Sequence, residues 1–196
     1  MKKNPKTIAL TTIWGLLLIA LLAFQVNLIF LQKTGPAFQV GDRMPDFNLK
    51  TLEGQAFDLD DLVKSKPVLL IFFSAESGPS RLQIGEISEY LKRQTDAGFQ
   101  AALITDDSRA KMEEFKKELN LTLPMLADEN SQVIKTYQVS VVPTSFLIDQ
   151  KRILLYSQVG SEGFSVYKIQ ALLKYGGGIK IEERPDPGRE EGKKNQ

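Results

Sequence analysis

Residues 68–80, VLLIFFSAESGPS, decide the fold of this chain. The run 68–73 is continuously apolar and has the length of a strand, which is typical of a strand covered by helices on both faces. The SGPS that follows at 77–80 supplies a capping residue and a proline for the first turn of a helix. The stretch therefore predicts a buried strand followed directly by a helix that begins at Ser77.

Helices and strands continue to alternate after residue 80. The helix from Ser77 is predicted to end at Gly98. Its predicted buried stripe consists of Leu82, Ile84, Ile87, Tyr90 and Leu91. The other predicted elements are a hairpin within 45–59, a strand at 101–104, helices at 108–119 and 131–137, a hairpin at 145–156 and a closing helix at 164–175. This order predicts an α/β fold, whose strand–helix–strand unit is a right-handed parallel crossover.

The composition is that of an ordinary globular domain with little net charge. The 196 residues correspond to one domain with appendages. Lys and Arg number 25 against 24 for Asp and Glu, which gives a formal net charge of +1. Because there is no basic excess, we expect no nucleic-acid partner.

The chain contains no cysteine and no histidine. Without cysteine it has no disulfide, no thiolate nucleophile and no Cys-ligated zinc or iron–sulfur cluster. Without histidine it lacks the commonest metal ligand and the commonest general base at neutral pH, which excludes Ser-His-Asp and Cys-His catalysis. Since Asp and Glu are not clustered in the sequence either, we expect no metal site and no cofactor.

Residues 8–31, IALTTIWGLLLIALLAFQVNLIFL, carry no charge and predict a transmembrane helix. About 20 apolar residues span a bilayer core of about 30 Å. Lysines at positions 2, 3 and 6 precede the run, whereas a single lysine follows it closely. The positive-inside rule then places residues 1–7 in the cytoplasm and the chain from residue 33 onward outside. The predicted protein is a single-pass protein of the cell membrane with an extracytoplasmic domain.

A cleaved signal peptide is the alternative interpretation of this run. Its apolar core would be about 7–15 residues long, and a small-x-small cleavage site would follow it. The run at 8–31 is longer, and Ala20 and Ala23 have the wrong spacing for such a site. We therefore predict an uncleaved signal-anchor helix.

The rest of the chain divides into a linker, a domain and a tail. Residues 32–39 form the predicted linker and residues 40–175 the predicted soluble domain. Residues 176–196 carry balanced charges and two prolines, and no apolar residue follows Ile181. This composition predicts a disordered tail.

Several motifs of the domain occur in the order found in one family. The motifs are VGDRMPDFNL at 40–49, FDLDDL at 57–62, SGPS at 77–80, LPMLAD at 123–128 and VPTSFLID at 142–149. With these motifs the sequence resembles the membrane-tethered TlpA/ResA-like thiol–disulfide oxidoreductases of the AhpC/TSA redoxin group. The resemblance implies a thioredoxin-like fold, with a mixed central sheet flanked by helices and preceded by an N-terminal hairpin.

The chain departs from that family at its redox motif. In the family this motif is C-x-x-C at the start of the first long helix, commonly C-G-P-C. Here the two cysteine positions are Ser77 and Ser80, whereas Gly78 and Pro79 match the common form. The Trp that usually precedes the first cysteine is Glu76. The resemblance therefore points to redox positions that have lost their chemistry.

Two further departures accompany the lost cysteines. Gly85 stands where the family usually has a proline, and Ile71 stands where thioredoxins have a buried carboxylate for proton transfer. A helix N-terminus stabilises a thiolate, but a Ser hydroxyl stays protonated there and cannot exchange a disulfide. We therefore predict that Ser77 is an ordinary N-cap that accepts a hydrogen bond from the N–H of Ser80, and that Ser80 is a tolerated small residue.

The resemblance also implies a cis peptide bond before Pro143, facing the start of the helix. One interpretation is that Pro143 only shapes the fold. The other is that the Val142 backbone pairs with an extended peptide by β-augmentation, which needs no sulfur. The predicted binding residues are then Gly78, Pro79, Val142, Pro143 and Thr144.

Three functions compete on these observations. The first is a non-redox binding or assembly module, held at the membrane, which takes an extended peptide or protein partner. The second is a thiol–disulfide oxidoreductase of the TlpA/ResA type whose two cysteines were replaced by serine, but this replacement would not account for Glu76, Gly85 and Ile71. The third is an AhpC/TSA peroxidase, which needs a peroxidatic cysteine after a Pro/Thr-rich loop, and residues 73–77 offer neither. The binding module is the preferred prediction.

Overall fold

The computed structural model describes residues 38–94 and 96–176, together with positions 19 and 21. Apart from those two positions, the predicted anchor at 8–31 lies outside the described residues, as do the segment 1–7 and the tail beyond residue 176. Within the described residues, no helix is long and apolar enough to cross a bilayer.

A seven-stranded sheet in the order β2-β1-β5-β4-β3-β6-β7 forms the centre of the domain. The strands are β1 Asn48–Thr51, β2 Ala56–Asp58, β3 Val68–Phe72, β4 Gln100–Thr105, β5 Met125–Ala127, β6 Thr144–Ile148 and β7 Leu154–Val159. The helices are α1 Leu59–Val63, α2 Gly78–Arg93, α3 Arg109–Glu118, α4 Gln132–Thr136 and α5 Val166–Tyr175. The neighbours β3–β4 and β4–β5 are parallel, and the other pairs are antiparallel. The predicted thioredoxin-like mixed sheet with flanking helices is confirmed.

Strand β3 is fully buried and supplies both cores of the domain. It lies between β4, to which it is parallel, and β6, to which it is antiparallel. Because side chains alternate across a strand, Leu69 and Ile71 enter the core formed with α2, α3 and α5, whereas Leu70 and Phe72 enter the core formed with α1 and α4. Each buried aliphatic side chain stabilises the fold by roughly 1.5–3 kcal/mol. The continuous apolar run is thus explained by burial on two faces.

Strands β1 and β2 form an antiparallel hairpin at one edge of the sheet. Leu49 pairs with Phe57, and the N–H of Thr51 donates to the carbonyl of Gln55 at 2.8 Å. Strand β1 also pairs with β5, so the hairpin expected in front of the sheet is part of the sheet itself. Helix α1 follows directly, capped by the Asp58 carboxylate.

The hairpin predicted at 145–156 closes the opposite edge as β6 and β7. Its turn is fixed by Asp149, whose Oδ1 accepts hydrogen bonds from the N–H groups of Lys151 and Ile153 at 2.8 and 2.7 Å. A short aspartate turn of this kind mimics a backbone turn, which explains why the pattern was readable from the sequence.

Helix α2 confirms most of the predicted stripe but not Leu82. Ile84 and Ile87 are fully buried, and Tyr90 and Leu91 pack against the same core. Leu82, in contrast, is 78% exposed. At about 100° per residue it lies roughly 200° around the helix from Ile84, which places it on the solvent side. The prediction for Leu82 was therefore wrong because it counted an apolar residue outside the i, i+3, i+7 spacing.

Phe38, at the end of the predicted linker, packs on the domain. Its ring centroid lies 5.9 Å from that of Tyr137 and 6.4 Å from that of Phe146. Tyr137 is buried, and its hydroxyl donates to the carbonyl of Pro45 at 2.6 Å. Burial raises the pKa of the Tyr137 hydroxyl, so it stays a neutral donor. The chain before β1 is thus fixed to the α4 face of the sheet.

Two glycines give a matched test of backbone conformation. A Cβ would meet nothing within 4 Å at Gly85 or Gly98, but Gly85 lies inside α2, whereas Gly98 has φ +73°. We expect Gly85→Ala to raise the free energy of unfolding by about 0.5–1 kcal/mol, since alanine loses less chain entropy in a helix. Gly98→Ala should lower it by about 1 kcal/mol, since alanine disfavours positive φ. Urea unfolding measures both, and the same sign for the two variants would contradict this account.

Candidate functional site

The start of α2 and the loop before β6 lie at the same end of the sheet. Strands β3 and β6 are antiparallel, with Phe72 opposite Thr144. The segment that leads from β3 to Ser77 therefore lies beside the Val142–Pro143 segment that leads into β6. The structure in this way brings the two predicted halves of the site to one edge, which we call the degenerate site (residues 76–80 and 141–144).

Ser77 is the N-cap of α2, as predicted. Its backbone is extended, and its Oγ accepts a hydrogen bond from the N–H of Ser80 at 3.3 Å. Gly78 and Pro79 occupy the first turn and are exposed. The Ser77 hydroxyl satisfies one of the N–H groups that a helix start leaves free. This is the position at which the same N–H groups and helix dipole would have favoured a thiolate.

Ser80 is completely buried. Among the described residues its Oγ has no hydrogen-bond partner. A buried hydroxyl without a partner loses its solvation, so Ser80 is a mildly unfavourable choice rather than a stabilising one. Ile71, which occupies the position of the family's carboxylate, is also fully buried, in the apolar core with α2 and α3. Neither Ser80 nor Ile71 therefore supplies an ionisable group beneath the helix start.

The loop before α2 is fastened to α3. The N–H of Ala75 donates to Oδ2 of Asp107 at 2.6 Å, and the carbonyl of Ala75 accepts from Nε of Arg81 at 2.9 Å. Lys111 Nζ lies 2.6 Å from Oε1 of Glu76. This pair lowers the pKa of the Glu76 carboxyl and raises the pKa of Lys111, through the hydrogen bond and the charge of each partner. The residue in the Trp position is therefore an exposed, ionised carboxylate held by a cation.

The Pro143 loop has the predicted cis Val142–Pro143 bond. Its neighbours are engaged: the carbonyl of Pro143 accepts from the N–H of Gly160 at 2.8 Å, and Oγ1 of Thr144 donates to the carbonyl of Val141 at 2.6 Å. Val142 itself makes no hydrogen bond through its N–H or carbonyl within the described part of the chain. One half-exposed residue at this edge thus retains free backbone groups.

A buried glutamine connects the two halves of the degenerate site. Nε2 of Gln83, on α2, donates to Oγ of Ser145, on β6, at 2.7 Å. Gln83 is only 3% exposed. The distance between the helix start and the Pro143 loop is therefore set by a direct side-chain bond and not by apolar contact alone.

Sequence reasoning found the residues of the motif and missed the residues that hold it. Asp107, Arg81, Lys111 and Gln83 were not predicted. Asp107, Lys111 and Gln83 each bind a residue at least 32 positions away in the sequence. No local sequence pattern encodes such pairs. Gln83 left one trace, since it is a polar residue beside the apolar pair formed by Ile84 and Ile87 on the buried side of α2.

The arrangement defines a thioredoxin-fold protein of the thiol–disulfide oxidoreductase type, with serine at both redox positions. Solved structures agree on the fold. The thioredoxin domain of a thiol-disulfide oxidoreductase from Bacteroides vulgatus superimposes with a TM-score of 0.62 at 16% identity, covering 70% of this chain and 99% of that chain. Peroxidoxin BcpB from Mycobacterium tuberculosis gives a TM-score of 0.62 at 22% identity, covering 70% and 97%.

The chain belongs to the AhpC/TSA family, whose profile matches residues 40–157. It is 32% identical over 152 residues to thiol-disulfide oxidoreductase ResA of Geobacillus thermodenitrificans, covering 76% of this chain and 85% of that protein. It is 29% identical over 152 residues to the thioredoxin-like protein YneN of Bacillus subtilis, covering 75% and 88%. The predicted resemblance to ResA-like proteins is confirmed.

Cysteine substitution tests the geometry of the helix start. Ser77 is half-buried at the N-terminus of α2, whereas Ser80 is fully buried. We expect the Ser77→Cys thiol to react with iodoacetamide at least about tenfold faster than the Ser80→Cys thiol at neutral pH, because exposure and a lowered pKa both favour it. The rates are measured by mass spectrometry of the alkylated chain.

The same variants in urea provide the control, since both thiols are then exposed and should react alike. The double variant should close an intramolecular disulfide, because the C-x-x-C spacing at the helix start is retained. Equal rates for the two single variants in the folded chain would contradict the burial of position 80.

Proposed function

We propose that this protein is a membrane-tethered, extracytoplasmic binding module that captures an extended segment of a partner at the degenerate site. The observation that carries the proposal is the Val142 backbone, whose N–H and carbonyl are free in the described part of the chain while both neighbours are engaged. An extended segment pairing there would add a short β-interaction. Gly78 and Pro79, both exposed, would form the opposite rim.

A non-redox role is supported by the chemistry of the site. The chain has no cysteine, and a serine hydroxyl does not form or exchange disulfides. A serine nucleophile needs an adjacent base. The one ionisable side chain next to Ser77 in sequence is Glu76, whose pKa is lowered by Lys111, which makes it a weaker base than an ordinary carboxylate.

The tether is supported by the sequence of residues 8–31 and their flanking charges. A domain held at a membrane meets partners from the same membrane at a raised effective concentration, so a modest affinity at one backbone pair would suffice for capture.

The alternative is a thiol–disulfide oxidoreductase in which serine replaces both cysteines. It is favoured by the retained C-x-x-C spacing and by the similarity to ResA. Glu76 and Ile71 count against it, because one is paired with Lys111 and the other is packed in the core, and neither would follow from two cysteine replacements. The codons of the native gene at positions 77 and 80 decide between the two.

A rim substitution tests capture at the degenerate site. Gly78→Arg introduces a large side chain at the rim, where a Cβ meets nothing within 4 Å, and Gly85→Arg introduces the same side chain at an equally open glycine of the same helix. With a photocrosslinking residue at Val141, which is 45% exposed, we expect crosslinks to the partner in cells to be lost in Gly78→Arg and kept in Gly85→Arg. Mass spectrometry identifies the crosslinked peptides. Identical crosslinks in both variants would place the partner elsewhere.

Topology is tested separately by protease accessibility. Protease added to intact spheroplasts should digest residues 40–196 and leave a membrane-bound N-terminal fragment, since the positive flank keeps residues 1–7 inside. A cytoplasmic protein that survives the same treatment is the control. A protected domain, or a mature chain that begins after residue 23, would refute the anchor.

A further inference from the structure

A cavity of about 850 Å³ lies beside the carboxyl ends of β4 and β5. Its walls are the segment 46–52 around β1, the loop 106–109 after β4 and the segment 127–136 after β5. None of the residues of the degenerate site lines it. Its volume is in the range of about 300–1,000 Å³ that is typical of ligand sites.

The cavity exists because β5 is shorter than its neighbour. Strand β1 begins at Asn48, but β5 pairs with it only at Lys50 and Thr51. After Ala127 the chain turns away, because the N–H of Asp128 donates to the carbonyl of Thr105 at 2.8 Å and its carboxylate caps α4. The space alongside Asn48 is therefore left without a strand.

The β1 backbone presents free groups to this space. The N–H of Thr51 donates to Gln55, on the β2 side, at 2.8 Å. Because backbone groups alternate along an antiparallel strand, Leu49 also faces β2, whereas Asn48 and Lys50 face the opposite side. Lys50 meets β5 there, but Asn48 has no strand partner on that side within the described residues. An extended segment can therefore pair with Asn48.

The position is one at which α/β folds bind ligands. Helix α3 packs on one face of the sheet through Met112 and Phe115, and α4 packs on the other face through Val133. The connections that leave β4 and β5 thus diverge to opposite faces, which opens a crevice at the carboxyl ends of the strands.

The cavity is acidic and contains an unsatisfied hydroxyl. Its cations are Lys50 and Arg109, of which Arg109 is engaged by Glu113 at 2.9 Å and by the Leu52 carbonyl at 2.6 Å. Thr51 is 8% exposed in the wall, and its Oγ1 has no hydrogen-bond partner among the described residues. In the described part of the chain no acidic cluster could hold a metal ion. Of the lining carboxylates, Asp46 is paired with Arg152 at 3.1 Å, and those of Asp107 and Asp128 accept backbone N–H bonds. Those of Asp106 and Glu129 are exposed on the rim.

We infer that this cavity is a second docking site, for an extended peptide segment that carries a basic side chain. The peptide backbone pairs with Asn48 as a short added strand. The ammonium or guanidinium group lies between Asp106 and Glu129 on the rim, where charge complementarity selects a cation. The inference is independent of the degenerate site, since the two sites share no lining residue.

The test uses the full-length chain in detergent and a fluorescent peptide, Ac-Val-Lys-Val-Lys-Val-NH2. Anisotropy titration at low salt should give saturable binding. Asp106→Asn with Glu129→Gln should weaken it by about tenfold, whereas the charge-matched pair Glu86→Gln with Glu114→Gln, both exposed outside the cavity, should change it less than about twofold. The Asn and Gln replacements keep an acceptor oxygen, so the hydrogen bond from Ser131 to Asp106 at 2.6 Å is preserved.

Further arms separate the alternatives. Free butylamine that competes at the same concentration as the peptide would overturn the strand pairing, as would full binding of a backbone N-methylated peptide. Equal weakening by both double variants would overturn the charge argument. Loss of binding in Gly78→Arg would mean that the peptide occupies the degenerate site, in which case this inference fails while the proposed function stands. Unchanged binding in Gly78→Arg supports a separate cavity site whatever the outcome for the degenerate site.

Discussion

The antiparallel register of β3 and β6, with Phe72 opposite Thr144, is the constraint on which the rest of the structure depends. With this register, β3 ends near the start of α2 at the same edge where β6 begins after the Pro143 loop. Two segments that are distant in sequence therefore form one edge. The bond between Gln83 and Ser145 then fixes their separation. None of these contacts requires sulfur. The scaffold therefore keeps its shape with serine at both positions, and family membership fixes the fold of this chain without fixing its activity.

The degenerate site differs from the family's redox site at more than the two cysteine positions. A thiolate at position 77 would make use of the helix dipole, whereas the Ser77 hydroxyl only caps the helix. The carboxylate of Glu76 projects beside it and is balanced by Lys111. Beneath it, Ile71 continues the apolar core. The surroundings thus suit a neutral, fixed helix start, and Ile71 offers a thiol no carboxylate with which to exchange a proton.

The sequence predicted features that depend on neighbouring residues and missed those that depend on contacts between distant residues. The β3 strand, the Ser77 cap and the β6–β7 hairpin were predictable because each follows from neighbours within a few residues. The prediction that Leu82 is buried was wrong because Leu82 does not fit the helical spacing of Ile84 and Ile87. The Asp107–Ala75 bond spans 32 positions and has no local signature. The cavity could not be predicted from the sequence either. It results from the shortness of β5 relative to β1, and the two strands become neighbours only in the folded sheet.

Asp107 contacts both the loop before α2 and the cavity beside β5. Its Oδ2 accepts from the N–H of Ala75 at 2.6 Å and from the hydroxyl of Thr105 at 3.1 Å. The same residue lines the acidic cavity. A single carboxylate therefore fixes the loop before α2, the end of β4 and one wall of the cavity. Asp107 thus contacts the loop before α2 and the cavity, although no residue lines both proposed sites. Because a hydrogen bond to a charged acceptor is roughly twice as strong as one between neutral groups, the Asp107 carboxylate stabilises the loop that leads to Glu76 and Ser77.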